Sequence, residues 1–203
     1  NFRVLLSCVL FVFHVALHAA QPADPALLLW LPLDDGSGTT AIDRSSNALE
    51  ADLSHVQWAT GTFGTAARFG GTNAFIELPP VPGLTGATQF TFSVWATWEG
   101  PAAHYPNLLT THTWSPGGLM FFVSDNTCSF RMGRSGTTWS EMGAGLLTAL
   151  PQRQWTHLCV TFSLPAITTY VNGRPVGHAS WPYPVAADDL RLGGWSGPVC
   201  HNG

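Results

Sequence analysis

From Phe90 to Trp98 the chain alternates without a break. Phe90, Phe92, Val94, Ala96 and Trp98 fall on one side; Thr91, Ser93, Trp95 and Thr97 fall on the other. Successive side chains of a strand point to opposite faces, so this spacing predicts a strand with one buried face. Trp95 breaks the pattern by sitting on the more polar side. Residues 155–164 repeat the alternation, with Leu158, Val160, Phe162 and Leu164 in phase. A half-buried strand needs neighbours in a sheet and a second layer against its apolar face. These two segments therefore constrain the chain to layered β-structure.

The rest of the sequence agrees. Residues 27–33 form a dense apolar run closed by Asp34-Asp35-Gly36-Ser37-Gly38, read as a first strand and a turn. Residues 66–69 and 74–78 flank Gly70-Gly71-Thr72-Asn73 and suggest a hairpin. Residues 108–113 and 119–123 read as strands joined through Ser115-Pro116-Gly117-Gly118. Cys128, Phe130 and Met132 alternate with Ser129 and Arg131. The run 167–171 enters Asn172-Gly173, the strongest short hairpin signal, because both turn residues need positive φ. Pro175 then puts the returning strand at an edge or a bulge. Residues 190–192 make a short last strand. No amphipathic helix follows residue 20. About ten short strands separated by Gly, Pro and Asn turns describe an all-β, antiparallel two-sheet sandwich or jelly roll.

Composition narrows the function. Charged residues are 10% of the 203, against about 25% in an average domain. The net charge is −4 with eight Lys and Arg, and no basic run is present to neutralise phosphates, which argues against nucleic acid. Arg3 precedes an apolar stretch from Val4 to Leu17, followed by Ala19 and Ala20. That pattern reads as a secretory signal peptide over 1–20, followed by a short linker at 21–26 and one domain over 27–203. The apolar stretch is shorter than the roughly 20 residues a membrane span needs. Removal of Cys8 with the leader leaves Cys128, Cys159 and Cys200, so one disulfide could form in an oxidising compartment and one thiol would stay free. No cysteine spacing supports zinc.

Five segments in order resemble the laminin-G-like branch of the concanavalin A-like jelly rolls. They are Leu31-Pro32-Leu33-Asp34-Asp35-Gly36-Ser37-Gly38-Thr39 with Asp43-Arg44-Ser45-Ser46-Asn47; Gly61-Thr62-Phe63-Gly64 with Ala67-Arg68-Phe69-Gly70-Gly71-Thr72-Asn73; Phe90-Thr91-Phe92-Ser93-Val94-Trp95; Trp155-Thr156-His157-Leu158-Cys159-Val160-Thr161-Phe162 with Tyr170-Val171-Asn172-Gly173; and Leu190-Arg191-Leu192-Gly193-Gly194. The stretch His157–Ser163 also resembles the pentraxin signature, but Phe162 stands where pentraxins carry Trp, and Ser93 about where their partner cysteine lies. Family members usually continue into a further closing strand, so the resemblance implies a domain truncated at its C-terminus.

The resemblance implies a secreted recognition module, non-catalytic, binding carbohydrate or an extracellular protein and belonging to a longer polypeptide. Exposed rings would carry a glycan, and Trp114, Trp139, Tyr105 and Trp181 are the candidates in predicted loops or strand ends. One structural calcium ion near the first loop is implied too, with Asp35, Asp43, Asn47 and Asn73 as side-chain donors. The competing reading is that these residues only shape turns. Glycoside hydrolases of the same fold commonly carry Glu-x-Asp-x-x-Glu on one strand; this chain has no such run, and Glu77 and Glu99 are isolated. A polysaccharide hydrolase or lyase, or a structural spacer, are the alternatives.

Overall fold

A computed structural model describes residues 24–70, 73–99, 107–111, 118–124, 127–133, 143–149 and 151–193, with side chains at all of these except 123, 124, 127, 128, 133 and 143–149. The leader at 1–20 and the start of the linker lie outside the described residues, as do Tyr105, Trp114, Trp139 and Cys200.

The described residues form β-strands and no helix. In chain order they are β1 (Thr40–Ile42), β2 (Glu50–Ser54), β3 (Gln57–Thr60), β4 (Thr65–Arg68), β5 (Phe75–Glu77), β6 (Gln89–Ala96) and β7 (Asn107–Thr111). They continue with β8 (Gly118–Ser124), β9 (Thr127–Gly133), β10 (Gly143–Ala149), β11 (Thr156–Ser163), β12 (Ala166–Val171), β13 (Arg174–Ser180) and β14 (Leu190–Gly193). An eight-stranded sheet runs β1-β2-β5-β14-β7-β8-β9-β10. A four-stranded sheet runs β13-β12-β11-β6, and β3 and β4 pair as a separate ribbon. Every named pairing is antiparallel.

The alternation in β6 and β11 does what the sequence predicts. Leu158 lies opposite Val94, Val160 opposite Phe92, and Phe162 opposite Phe90, all facing the core. Across the sandwich the facing sheet supplies Ile76, Leu109, Leu119, Phe121, Phe130 and Met132. Aromatic edges lock the layers. Phe92 meets Phe121 edge-on at 5.8 Å, and Phe90 meets Phe130 at 6.2 Å. Such pairs add to the area they bury.

The hairpin signal at Asn172-Gly173 is realised. Both residues have positive φ, 49° and 78°, and join β12 to β13. Pro175 satisfies both alternatives: β13 is an edge strand, and the β12–β13 register shifts between Thr169 and Tyr170, beside Pro175.

Three expectations need correction. Residues 27–33 are not a strand. Leu28, Leu29, Leu31 and Leu33 still pack on the core, but Leu33 has φ 59°, outside the extended backbone of a strand. β4 and β5 do not form a hairpin with each other: β4 pairs with β3, and β5 pairs with β2 and β14, so the Gly-rich segment between them is a crossover. Leu164 leaves the core phase because β11 ends at Ser163 and the turn into β12 exposes it. The expected short last strand is present as β14, which lies centrally, between β5 and β7.

Candidate functional site

The four-stranded sheet has a second face, turned away from the core. Register places His157 opposite Trp95, Cys159 opposite Ser93, and Thr161 opposite Thr91. β12 extends these rows with Tyr170 beside Cys159 and Thr168 beside Thr161, and β13 adds His178 beside Thr168. β6, β11 and β12 contain no Asp, Glu, Lys or Arg. Hydroxyls, imidazoles and rings therefore dominate the outer side of these three strands.

Trp95 is its centre. The indole is 46% exposed although large apolar side chains on a sandwich strand normally turn inward. His157 packs on one flank, ring centroids 5.4 Å apart. His157 is fixed in turn: its Nε2 lies 2.8 Å from Ser93 Oγ, and its backbone N–H donates to Asn172 Oδ1 at 3.0 Å. The Asn172 N–H donates back to the His157 carbonyl at 2.8 Å. The hairpin turn thus anchors the strand end beside Trp95.

Phe63 closes the other flank. It sits at the tip of the β3–β4 ribbon and is 72% exposed. Its ring stands almost perpendicular to Trp95, at 80° and 6.1 Å. Two half-open rings at right angles form a corner. Cys159 carries a free thiol on the same face, and burial pushes that thiol above its usual value.

Sequence reasoning flagged Trp95 as out of phase but chose other rings. Of those, Trp181 is corrected: it is 3% exposed, in the core, with its backbone N–H donating to the Pro165 carbonyl at 2.7 Å. Its neighbour Tyr183, 5.4 Å away, is the exposed ring of that pair. Phe63 was missed, yet an aromatic bracketed as Gly61-Thr62-Phe63-Gly64 was its signal: a ring in a tight turn has no core to enter.

The four proposed cation donors separate. Asp43 is buried and spends both oxygens on its own loop. Oδ1 accepts from the Trp30 and Ser45 N–H groups, each at 2.8 Å. Oδ2 accepts from Ser45 Oγ at 2.7 Å and the Leu49 N–H at 3.2 Å. Burial alone would raise this carboxyl, but the bonds from Ser45, Trp30 and Leu49 outweigh it and hold the carboxyl below its usual range. Asn47 donates its amide to the Leu28 carbonyl at 2.8 Å. Asp43 and Asn47 thus tie the 27–33 segment to the sandwich, and the donor geometry of Asp43 does not fit a cation. Asp35 has a buried Oδ2 without a hydrogen-bond partner among the described atoms, and Asn73 lies exposed in its turn. Among the described residues no three His, Cys, Asp or Glu side chains group to hold a metal.

Glu77, on β5, and Glu99, beyond the end of β6, each sit in an ion pair with an arginine. Glu77 accepts from Arg191, which also lies over Phe75 at 4.3 Å, and Glu77 faces Asp52 in register. Glu99 accepts from Arg68 at 2.9 Å.

A family model described as the concanavalin A-like lectin/glucanases superfamily matches residues 69–200. No curated protein sequence matches the chain. Among solved structures, it superposes on the binding domain of botulinum neurotoxin serotype D/C with TM-score 0.64 and 11% identity, over 85% of this chain and 44% of that one. Botulinum neurotoxin type C, solved in work on its interaction with two ganglioside molecules, gives TM-score 0.61 and 12% identity, over 81% and 42%. Domain 4 of an extracellular arabinanase from Geobacillus stearothermophilus, in complex with arabinotriose, gives 0.47 and 20%, over 74% and 71%. The chain spans less than half the length of the toxin chains it matches.

Proposed function

Since the chain belongs to the concanavalin A-like lectin/glucanases superfamily, we propose that it is a carbohydrate-recognition module, secreted behind the 1–20 leader as part of a longer polypeptide, and that it binds a neutral saccharide at the Phe63–Trp95–His157 corner. The observation that carries this reading is the half-exposed Trp95 ring flanked by two further rings, on strands β6, β11 and β12 that carry no Asp, Glu, Lys or Arg. The C–H face of a pyranose stacks on an indole, and the sugar hydroxyls need neutral partners close by. Ser93, His157, Thr161 and Tyr170 supply them. An acidic glycan would find no cation on β6, β11 or β12.

A non-catalytic role is supported by the placing of the carboxylates. Glycoside hydrolysis uses two acids that face each other across the scissile bond. Glu77 and Glu99 are instead each held in an ion pair, with Arg191 and Arg68.

A glycan array tests the reading. Neutral hexose and pentose oligomers are expected to retain the protein, while sulfated and sialylated glycans are expected to bind no better than their neutral parents. Binding confined to polyanionic glycans would overturn it. Release of reducing ends from a retained oligomer would overturn the non-catalytic part.

A further inference from the structure

A two-stranded ribbon is marginally stable alone, and a ring 72% exposed at its tip gains little from packing. Phe63 nevertheless meets Trp95, so something outside the ribbon must fix the tip. Three contacts do so, all from the segment before β1. The Thr65 N–H donates to Asp34 Oδ1 at 3.0 Å. Thr65 Oγ1 donates to the Leu33 carbonyl at 2.7 Å. Trp58 Nε1 reaches the Gly38 carbonyl at 3.5 Å. Within the tip, the Gly61 N–H donates to the Gly64 carbonyl at 3.0 Å.

The Asp34 carboxylate also packs directly on the ribbon backbone. A Cβ on Gly64 would stand 2.3 Å from Asp34 Oδ1, and Gly64 has φ +72°. Gly61 is equally closed, since a Cβ there would lie 2.5 Å from the Thr65 carbonyl oxygen. Phe63 is thus set between two glycines that no other residue replaces, one of them seated against Asp34. We infer that Asp34 is a positioning residue of the saccharide site: its carboxylate holds the ribbon tip so that Phe63 stands as the wall of the corner whose floor is Trp95. This rests on the reading of that corner as the sugar site. A ring already held in its bound position loses less freedom on binding, which for one side chain is about two- to tenfold in affinity.

The test has a ligand-free and a ligand-bound arm, both on the full chain. In the first, nuclear Overhauser contacts between the Phe63 ring and the Trp95 indole are followed in Asp34→Ala, Asp34→Asn and Thr65→Val. The contacts are expected to vanish in Asp34→Ala and to persist in Asp34→Asn, whose amide oxygen still accepts from Thr65. Thr65→Val, which loses only the bond to Leu33, is expected to weaken them and serves if Asp34→Ala does not fold. Contacts unchanged in both Asp34→Ala and Thr65→Val overturn the inference. In the second arm, retention on the arrayed neutral oligomers is expected to weaken about two- to tenfold in Asp34→Ala, and to change no further when Asp34→Ala is added to Phe63→Ala. An Asp34→Ala loss that persists in the Phe63→Ala background overturns the positioning role. Retention that does not depend on Trp95 at all sinks the sugar reading instead, whatever the first arm gives.

Discussion

Replacing Asp43 by alanine removes one acceptor from four donors: the N–H groups of Trp30, Ser45 and Leu49 and the Ser45 hydroxyl. The hydroxyl can turn elsewhere, but the three backbone groups cannot. A buried donor without a partner costs roughly 1–3 kcal/mol, and partial exposure puts each near the lower bound, so the loss is about 3 kcal/mol. In a domain of this size that lowers Tm by about 6–12 °C. Asp43→Asn keeps one oxygen for Trp30 and Ser45 and sets an amide N–H against the Leu49 N–H, for about half the loss. Acid adds a second signature. The folded carboxyl lies below its ordinary 3.8, so its contribution is complete above that pH and drains as pH falls through the folded value. The wild type therefore loses stability below about pH 4 more steeply than Asp43→Asn, which has no proton to take up there. Thermal melts from pH 2 to 7, with calcium and with chelator, read all of this. Calcium is expected to leave the difference between wild type and Asp43→Ala unchanged. A wild-type Tm raised by calcium, with Asp43→Ala unresponsive, would refute the capping account and restore Asp43 as a ligand.

Other outcomes separate core from surface. Phe121→Ala, at a fully buried ring with edge contacts to Phe92 and Phe130, is expected to cost about 4 kcal/mol in urea unfolding, and Phe63→Ala less than about 0.5 kcal/mol. Gly193→Ala places a Cβ 2.1 Å from Phe69 Cδ1 at φ +85°, so a loss of about 3 kcal/mol is expected, reduced when Phe69→Ala opens the space. Cys159 is expected to alkylate slowly with iodoacetamide, its rate profile displaced above the ordinary thiol value of 9.0 by burial.

The sandwich was legible where a residue's neighbours in sequence decide its environment. β6 and β11 alternate because each has one core face, and Asn172-Gly173 turns because only such residues take positive φ cheaply. The family-like motifs have physical content too. The phenylalanine of Ala67-Arg68-Phe69-Gly70 packs on the glycine of Leu192-Gly193, and Asp43-Arg44-Ser45 cradles the Trp30 backbone. What was not legible depends on distant partners. Residues 27–33 have a strand's composition, but the backbone bonds of Leu28 and Trp30 go to the Asp43 loop and that of Leu33 to Thr65. β2, β3 and β10 lack a clean alternation and were passed over. The corner was half visible: Trp95 announced itself by phase, whereas Phe63 reaches it only through a ribbon pinned from Asp34.

The direct test of the central claim is titration of Trp95→Ala beside the wild type with a retained neutral oligosaccharide, by calorimetry, with thermal melts of both. Trp95 is half-exposed on the outer face, so the melts are expected to agree to about 2 °C while binding heat disappears from the variant. Undiminished affinity in a folded Trp95→Ala protein would contradict the account.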